Sequence, residues 1–149
     1  MKNVSELHDK DFYAWTRQQV ELLQMQRLGE LDVAYLIEEL DDMSGSTRRE
    51  LMHRLGVLIA HLLKWCYQPA HRSASWRGTV KEQRRKLQRL LQENPSLKPL
   101  VPTKLQDAYG DALTLVEKDT GLDEEHFPET CPFNLEQVLN GEYWPNENN

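Results

Sequence analysis

Apolar residues along this chain recur at steps of three and four. Val/Ile/Thr-rich runs alternating with period two are nearly absent, so the pattern predicts helices and no sheet. The first helical stretch is expected from about His8 or Asp9 to Leu28, with Phe12, Trp15, Leu22 and Leu23 on one face and Gln19 between them. Gly29 stands where a left-handed closing residue belongs, and Asp32 is placed to cap the next helix. The second stretch is the longest. Val33, Ile37, Leu40, Met43, Thr47, Leu51, Leu55, Leu58, Leu62 and Trp65 keep one phase across Ser44-Gly45-Ser46, where a loop would normally reset it. One long helix is expected, or two collinear halves kinked at Gly45, ending before Pro69.

A third helix comes after a short connector, capped by Ser73 or Ser75, with Trp76, Val80, Leu87, Leu90 and Leu91 turned inward. Asn94-Pro95 closes it, and Pro95, Pro99 and Pro102 make the next segment stiff. The fourth helix is expected from about Thr103 to Asp119, with Leu105, Ala108, Tyr109, Ala112, Leu113 and Val116 as its stripe and Gly121 as its stop. Phe127, Phe133, Leu135, Val138, Leu139, Tyr143 and Trp144 make the tail too apolar for water. Asn134 with Gln137 reads as the start of one short helix. The expected architecture is an all-α, four-helix bundle-like core built on the long second helix, with the C-terminal tail packed across it. It forms a single domain over residues 1–149, loosest over about 1–7 and 146–149. A long helix outruns shorter neighbours, so its uncovered stripe needs either the tail or a second copy of the chain, a homodimer.

Length and composition agree with this. The chain has 149 residues, 39% hydrophobic and 28% charged, which is the make-up of one globular domain rather than a disordered segment. No apolar run approaches the ~20 residues needed to span a bilayer, and the first residues carry no apolar leader core. Cytoplasmic residence, with no membrane contact, is the expectation. Cys66 and Cys131 are far apart and match no zinc or redox spacing.

Charge changes the picture more. The formal net charge is −6, yet Arg48 to Arg89 holds eleven basic and two acidic residues, a local net of +9. The flanking segments carry −6 before it and −9 after it. The basic island contains Trp65 and Trp76, and the turn between the second and third helices forces the two ends together. His61, Trp65, Arg72, Trp76, Arg77, Lys81, Arg84 and Arg85 are therefore the candidate partner-binding residues. Their chemistry suits an acidic protein partner; nucleic acid ranks behind it, since the whole chain is acidic and shows no phosphate loop or nucleic-acid motif. The competing expectation is internal neutralisation by Asp107, Asp111 and Glu117 of the fourth helix, or Glu38 and Asp42 of the second.

Catalytic and metal chemistry find little support. Glu50 and His53 form a single Glu-x-x-His pair, where di-iron carboxylate bundles need two. No Ser-His-Asp or Cys-His arrangement stands out, and no cofactor is implied. A metal-dependent helical enzyme ranks last among the functional readings.

The order DFYAWTRQQVELL, ELDVAYLIEEL, LIAHLLKWCYQP, SWRGTVKEQRRKL, NPSL and FPETCPFNLEQVLNGEYWP resembles the bacterial domain-of-unknown-function family twenty-nine. The resemblance covers nearly the whole chain and implies a small all-helical fold. It implies no reaction, substrate, cofactor or site residue.

Overall fold

The computed structural model describes residues 4–145, most of which are helical, with no strand among them. Six α-helices occur in order: α1 Val4–Lys10, α2 Phe12–Gln24, α3 Val33–Tyr67, α4 Ala74–Glu93, α5 Val101–Thr120 and α6 Leu135–Leu139, with short 3-10 turns between them. The all-α class is as the sequence indicates. Residues 1–3 and 146–149 lie outside the described residues. The chain divides into two compact units, Met1–Thr47 and Arg48–Asn149, and the boundary falls inside α3.

The long second helix is confirmed. Its 35 residues run without interruption through Gly45, about 52 Å at the usual rise. Its apolar stripe, however, has two fates. Leu51, Leu55, Leu58, Leu62 and Trp65 are buried, whereas Val33, Ile37, Leu40 and Met43 remain 56–66% exposed.

In the first unit the expected single helix is two. Asp11 breaks it, and its side chain accepts from the Ala14 N–H to cap α2. The stop is also different. Gln26, not Gly29, takes the left-handed conformation at φ 58°. Its N–H reaches the Leu23 carbonyl and that of Arg27 reaches Leu22, which closes a Schellman turn. Trp15, Gln19 and Leu22 are buried, while Phe12 and Leu23 are about half exposed, so the inward face is narrower than the sequence suggests. Asp32 joins the unit together: its carboxylate accepts from the Trp15 indole at 3.2 Å and its N–H donates to Gln19 Oε1 at 2.9 Å.

In the second unit one contiguous core joins the C-terminal half of α3 to Val80, Leu87, Leu90 and Leu91 of α4, and to Ala108, Tyr109, Ala112 and Val116 of α5. Phe127, Phe133 and Val138 of the tail pack into the same core, as their apolarity predicts. Local signals also hold. Ser73 caps α4 by accepting from the Trp76 N–H. Gly121 closes α5 at φ 79°, a backbone position that costs a side-chain-bearing residue strain. Asn134 and Gln137 form a reciprocal capping box. The fourth helix of the expected core, α5, begins two residues early, at Val101, because Pro102 falls in its first turn, where no N–H is required.

Candidate functional site: a basic cleft floored by tryptophan

The site lies within the second unit, where the end of α3 turns into α4. Tyr67 is the last residue of α3, and Pro69 opens a 3-10 turn that delivers Arg72 and Ser73 to the start of α4. The turn folds Arg72 back onto the helix it has just left. Its Nε donates to the Trp65 carbonyl at 2.8 Å, and its guanidinium carbon lies 4.9 Å from the Trp65 ring centroid. Arg77, one turn into α4, lies 5.1 Å from the same centroid and 5.2 Å from that of Trp144. The two indoles are 4.6 Å apart. Cations over indole faces are each worth ~0.5–2 kcal/mol, so the arginines are held by the aromatic floor and not by counter-charges.

Above this floor opens a cleft of about 520 Å³, lined by Trp65, Arg72, Ser73, Arg77, Gly78 and Lys81 among others. Gly78 leaves open space where a side chain would otherwise project. Trp65 is 2% exposed and its indole N–H has no partner within the protein. Arg77 and Lys81 are exposed, and Arg72 is half-buried. Among the described residues none of the three forms an ion pair with a carboxylate.

Among the described residues none of the carboxylates expected to neutralise the island, Asp107, Asp111 and Glu117 or Glu38 and Asp42, forms an ion pair; other acids pair with other cations. Lys64 is 5% exposed and pairs with Asp119 at 3.0 Å while lying 5.1 Å from the Trp76 ring centroid. Arg54 pairs with Glu50, and Lys86 with Glu82, both within their own helices. The Lys86 ammonium holds the Glu82 carboxyl below its usual range, chiefly by hydrogen bonding to it.

The eight residues singled out by sequence separate into three groups. Trp65, Arg72, Arg77 and Lys81 meet in the cleft. Arg85 lies farther along α4 and is exposed. His61, Trp76 and Arg84 have other tasks. His61 bonds through Nδ1 to the Val57 carbonyl of its own helix, and burial pushes its pKa down, so the neutral ring is favoured. Trp76 sits against Lys64.

Arg84 departs furthest from expectation. It is 2% exposed, donating to the Val138 carbonyl at 2.9 Å and the Gln137 carbonyl at 3.0 Å. Desolvation pushes its pKa down, although guanidinium remains charged. It ties α4 to the tail, which removes it from any binding surface. The sequence carries a signal for this: Val80, Arg84, Leu87 and Leu91 step by four, three and four along one buried face of α4. Trp144, whose indole packs against Trp65 and beneath Arg77, looks in sequence like tail packing alone, because nothing there links it to Trp65.

Elsewhere, burial pushes the Tyr109 hydroxyl up to about 12 and the Cys131 thiol upward, away from reactivity. Among the described residues no three His, Cys, Asp or Glu side chains gather as a metal site. Nor does any described helix have the length and apolarity to cross a membrane. No curated protein and no solved structure matches the chain. A family model, described as domain of unknown function DUF29, matches residues 7–144, which takes in both units and every residue of the cleft. The chain belongs to the DUF29 family.

Proposed function

We propose that this chain is a non-catalytic binding module and that the cleft between the end of α3 and the start of α4 receives an acidic protein partner. One observation carries the reading. Arg72, Arg77 and Lys81 line one cleft and are not neutralised by any described carboxylate, although the chain has carboxylates in excess. Three cations without ion-pair partners, two of them held over an indole, repel one another, and an anionic group placed among them relieves that repulsion. Aromatic and arginine side chains in a concave patch are also the usual centre of a protein interface.

Charge reversal tests it: Arg77→Glu with Lys81→Glu, assayed by anisotropy of a fluorescently labelled Glu-rich peptide. Both side chains are exposed, so circular dichroism should be unchanged while binding is lost. Retention of the wild-type affinity in the folded double variant refutes the reading.

A second partner, another copy of the chain, is favoured by the exposed row Val33, Ile37, Leu40 and Met43 on α3. Sedimentation across a concentration series should show a dimer that Leu40→Glu abolishes. A wild-type chain that stays monomeric at high concentration removes self-association.

A further inference from the structure

The cleft is one end of a longer feature. Arg77, Lys81, Arg85 and Arg89 succeed one another at four-residue steps along α4, and all four are exposed. None of them forms an ion pair among the described residues. The neighbouring acid, Glu82, is already engaged by Lys86 at 2.6 Å. The adjoining face of α4 is committed to the fold through Val80, Arg84, Leu87 and Leu91, and Gln88, which borders the row, donates to the Leu139 carbonyl at 3.0 Å. One face of this helix is therefore structural, and a row of cations leads away from the cleft on another.

The spacing of the row limits the ligands it can bind. Four helical residues advance about 6 Å and turn about 40°, so the four cations span about 18 Å along α4 while winding about a third of the way round it. In an extended peptide, side chains on the same side recur every second residue, about 6.7 Å apart. Flexible arginine and lysine stems absorb the difference. A carboxylate at every second position therefore meets successive cations, whereas contiguous carboxylates point alternately toward and away from α4.

The cleft supplies an end point. Trp65, Ala74 and Gly78 give it an apolar lining, and Gly78 leaves room for a side chain. The guanidinium carbons of Arg72 and Arg77 both lie about 5 Å from the Trp65 centroid, so no more than about 10 Å separates them.

We propose that the cleft and the row take one extended acidic peptide segment, with a large apolar side chain seated in the cleft beside Ala74 and Gly78 and carboxylates at alternate positions paired with Arg77, Lys81, Arg85 and Arg89. This rests on the acidic-partner reading of the same cleft and adds its conformation and register. A long polyanion fits less well. The row offers four charges, and the chain as a whole carries a formal net charge of −6, which disfavours a long polyanion.

Two labelled synthetic peptides of identical composition test the register. One carries an N-terminal tryptophan followed by alternating aspartate and serine. The other carries the same tryptophan, then all its aspartates together, then the serines. Exposed ion pairs each change affinity about two- to fivefold, so losing register at two of them gives the alternating peptide an advantage of about tenfold. Arg85→Ala with Arg89→Ala should erase that advantage without altering the circular dichroism.

Equal affinities for the two peptides, both lost on charge reversal at Arg77 and Lys81, overturn the register and leave the acidic-partner reading standing. Salt-insensitive binding, or none, of either peptide overturns both. Tighter, salt-sensitive binding of a single-stranded oligonucleotide than of either peptide replaces the peptide with nucleic acid.

Discussion

Arg84 donates from Nε to the Val138 carbonyl at 2.9 Å, a contact across 54 residues that fastens α6 to α4. The same guanidinium reaches the Gln137 carbonyl and lies 5.6 Å from the Trp144 centroid. One arginine of the basic island is thus structural, and it supports the tail whose Trp144 packs against Trp65.

Replacing it should cost stability. Arg84→Ala strands two carbonyls in a mostly dry environment, at about 1–3 kcal/mol apiece, and removes packing as well. A loss of about 2–6 kcal/mol is expected in urea unfolding, with weaker peptide binding because Trp144, which packs against Trp65 and Arg77, is no longer held. Arg84→Lys should not restore it, since an ammonium lacks the planar fork that serves two carbonyls at once. A wild-type unfolding midpoint for Arg84→Ala contradicts this assignment.

Lys64 makes a contrasting case. It is buried, yet Asp119 is 54% exposed on its side chain, so solvent already screens the pair. Asp119→Asn is expected to destabilise by only about 1 kcal/mol. Lys64→Met, which keeps the stem against Trp76 and removes the buried charge, should be close to neutral. Thermal unfolding of the two variants checks the order.

The first unit should respond to pH. The His8 ring is 12% exposed, stacked on Tyr35 at 3.9 Å, with edge contacts to Phe12 and Trp15. Hydrogen bonds from the protonated ring to Asp9 and to Glu39 raise its pKa above 6.5. A folded-state value above the unfolded one means the contribution is complete below 6.5 and is lost as pH rises through the raised value. Amide exchange in α1, corrected for its intrinsic pH dependence, should therefore show less protection above that value than below it. His8→Gln should flatten the change. Equal protection on both sides of the transition contradicts the role given to His8.

Gln19 links α2 to the start of α3 through the Asp32 N–H. Gln19→Leu removes this hydrogen bond and is expected to cost about 0.5–1.5 kcal/mol. The loss should appear as faster exchange at Asp32 and the first turn of α3. Unchanged exchange there argues against the link.

Much of this architecture is legible in the sequence because the relevant signals are local. Gly121, Ser73 and the Asn134–Gln137 box each announce a helix end within four residues. The unbroken phase of apolar positions through Gly45 matches the uninterrupted α3. Gln26 leaves no such signal, because a positive φ at a glutamine is imposed by the surrounding fold while nearby Gly29 offers the cheaper stop. Arg84 is hidden for a different reason: composition groups it with Arg85, and only its position between Val80 and Leu87 separates a buried guanidinium from an exposed one. The pairing of Trp65 with Trp144 joins positions 79 residues apart and leaves no periodic trace.

The basic island therefore divides its arginines: some stand open to an acidic ligand while others are spent on the fold. Arginine Nε–H NMR resonances, recorded as the alternating acidic peptide is added, test that division residue by residue. Saturable shifts are expected at Arg72, Arg77, Arg85 and Arg89, with Arg84 and Arg54 unmoved. Shifts centred on Arg54, or no shift at Arg72 and Arg77 at saturating peptide, would contradict it.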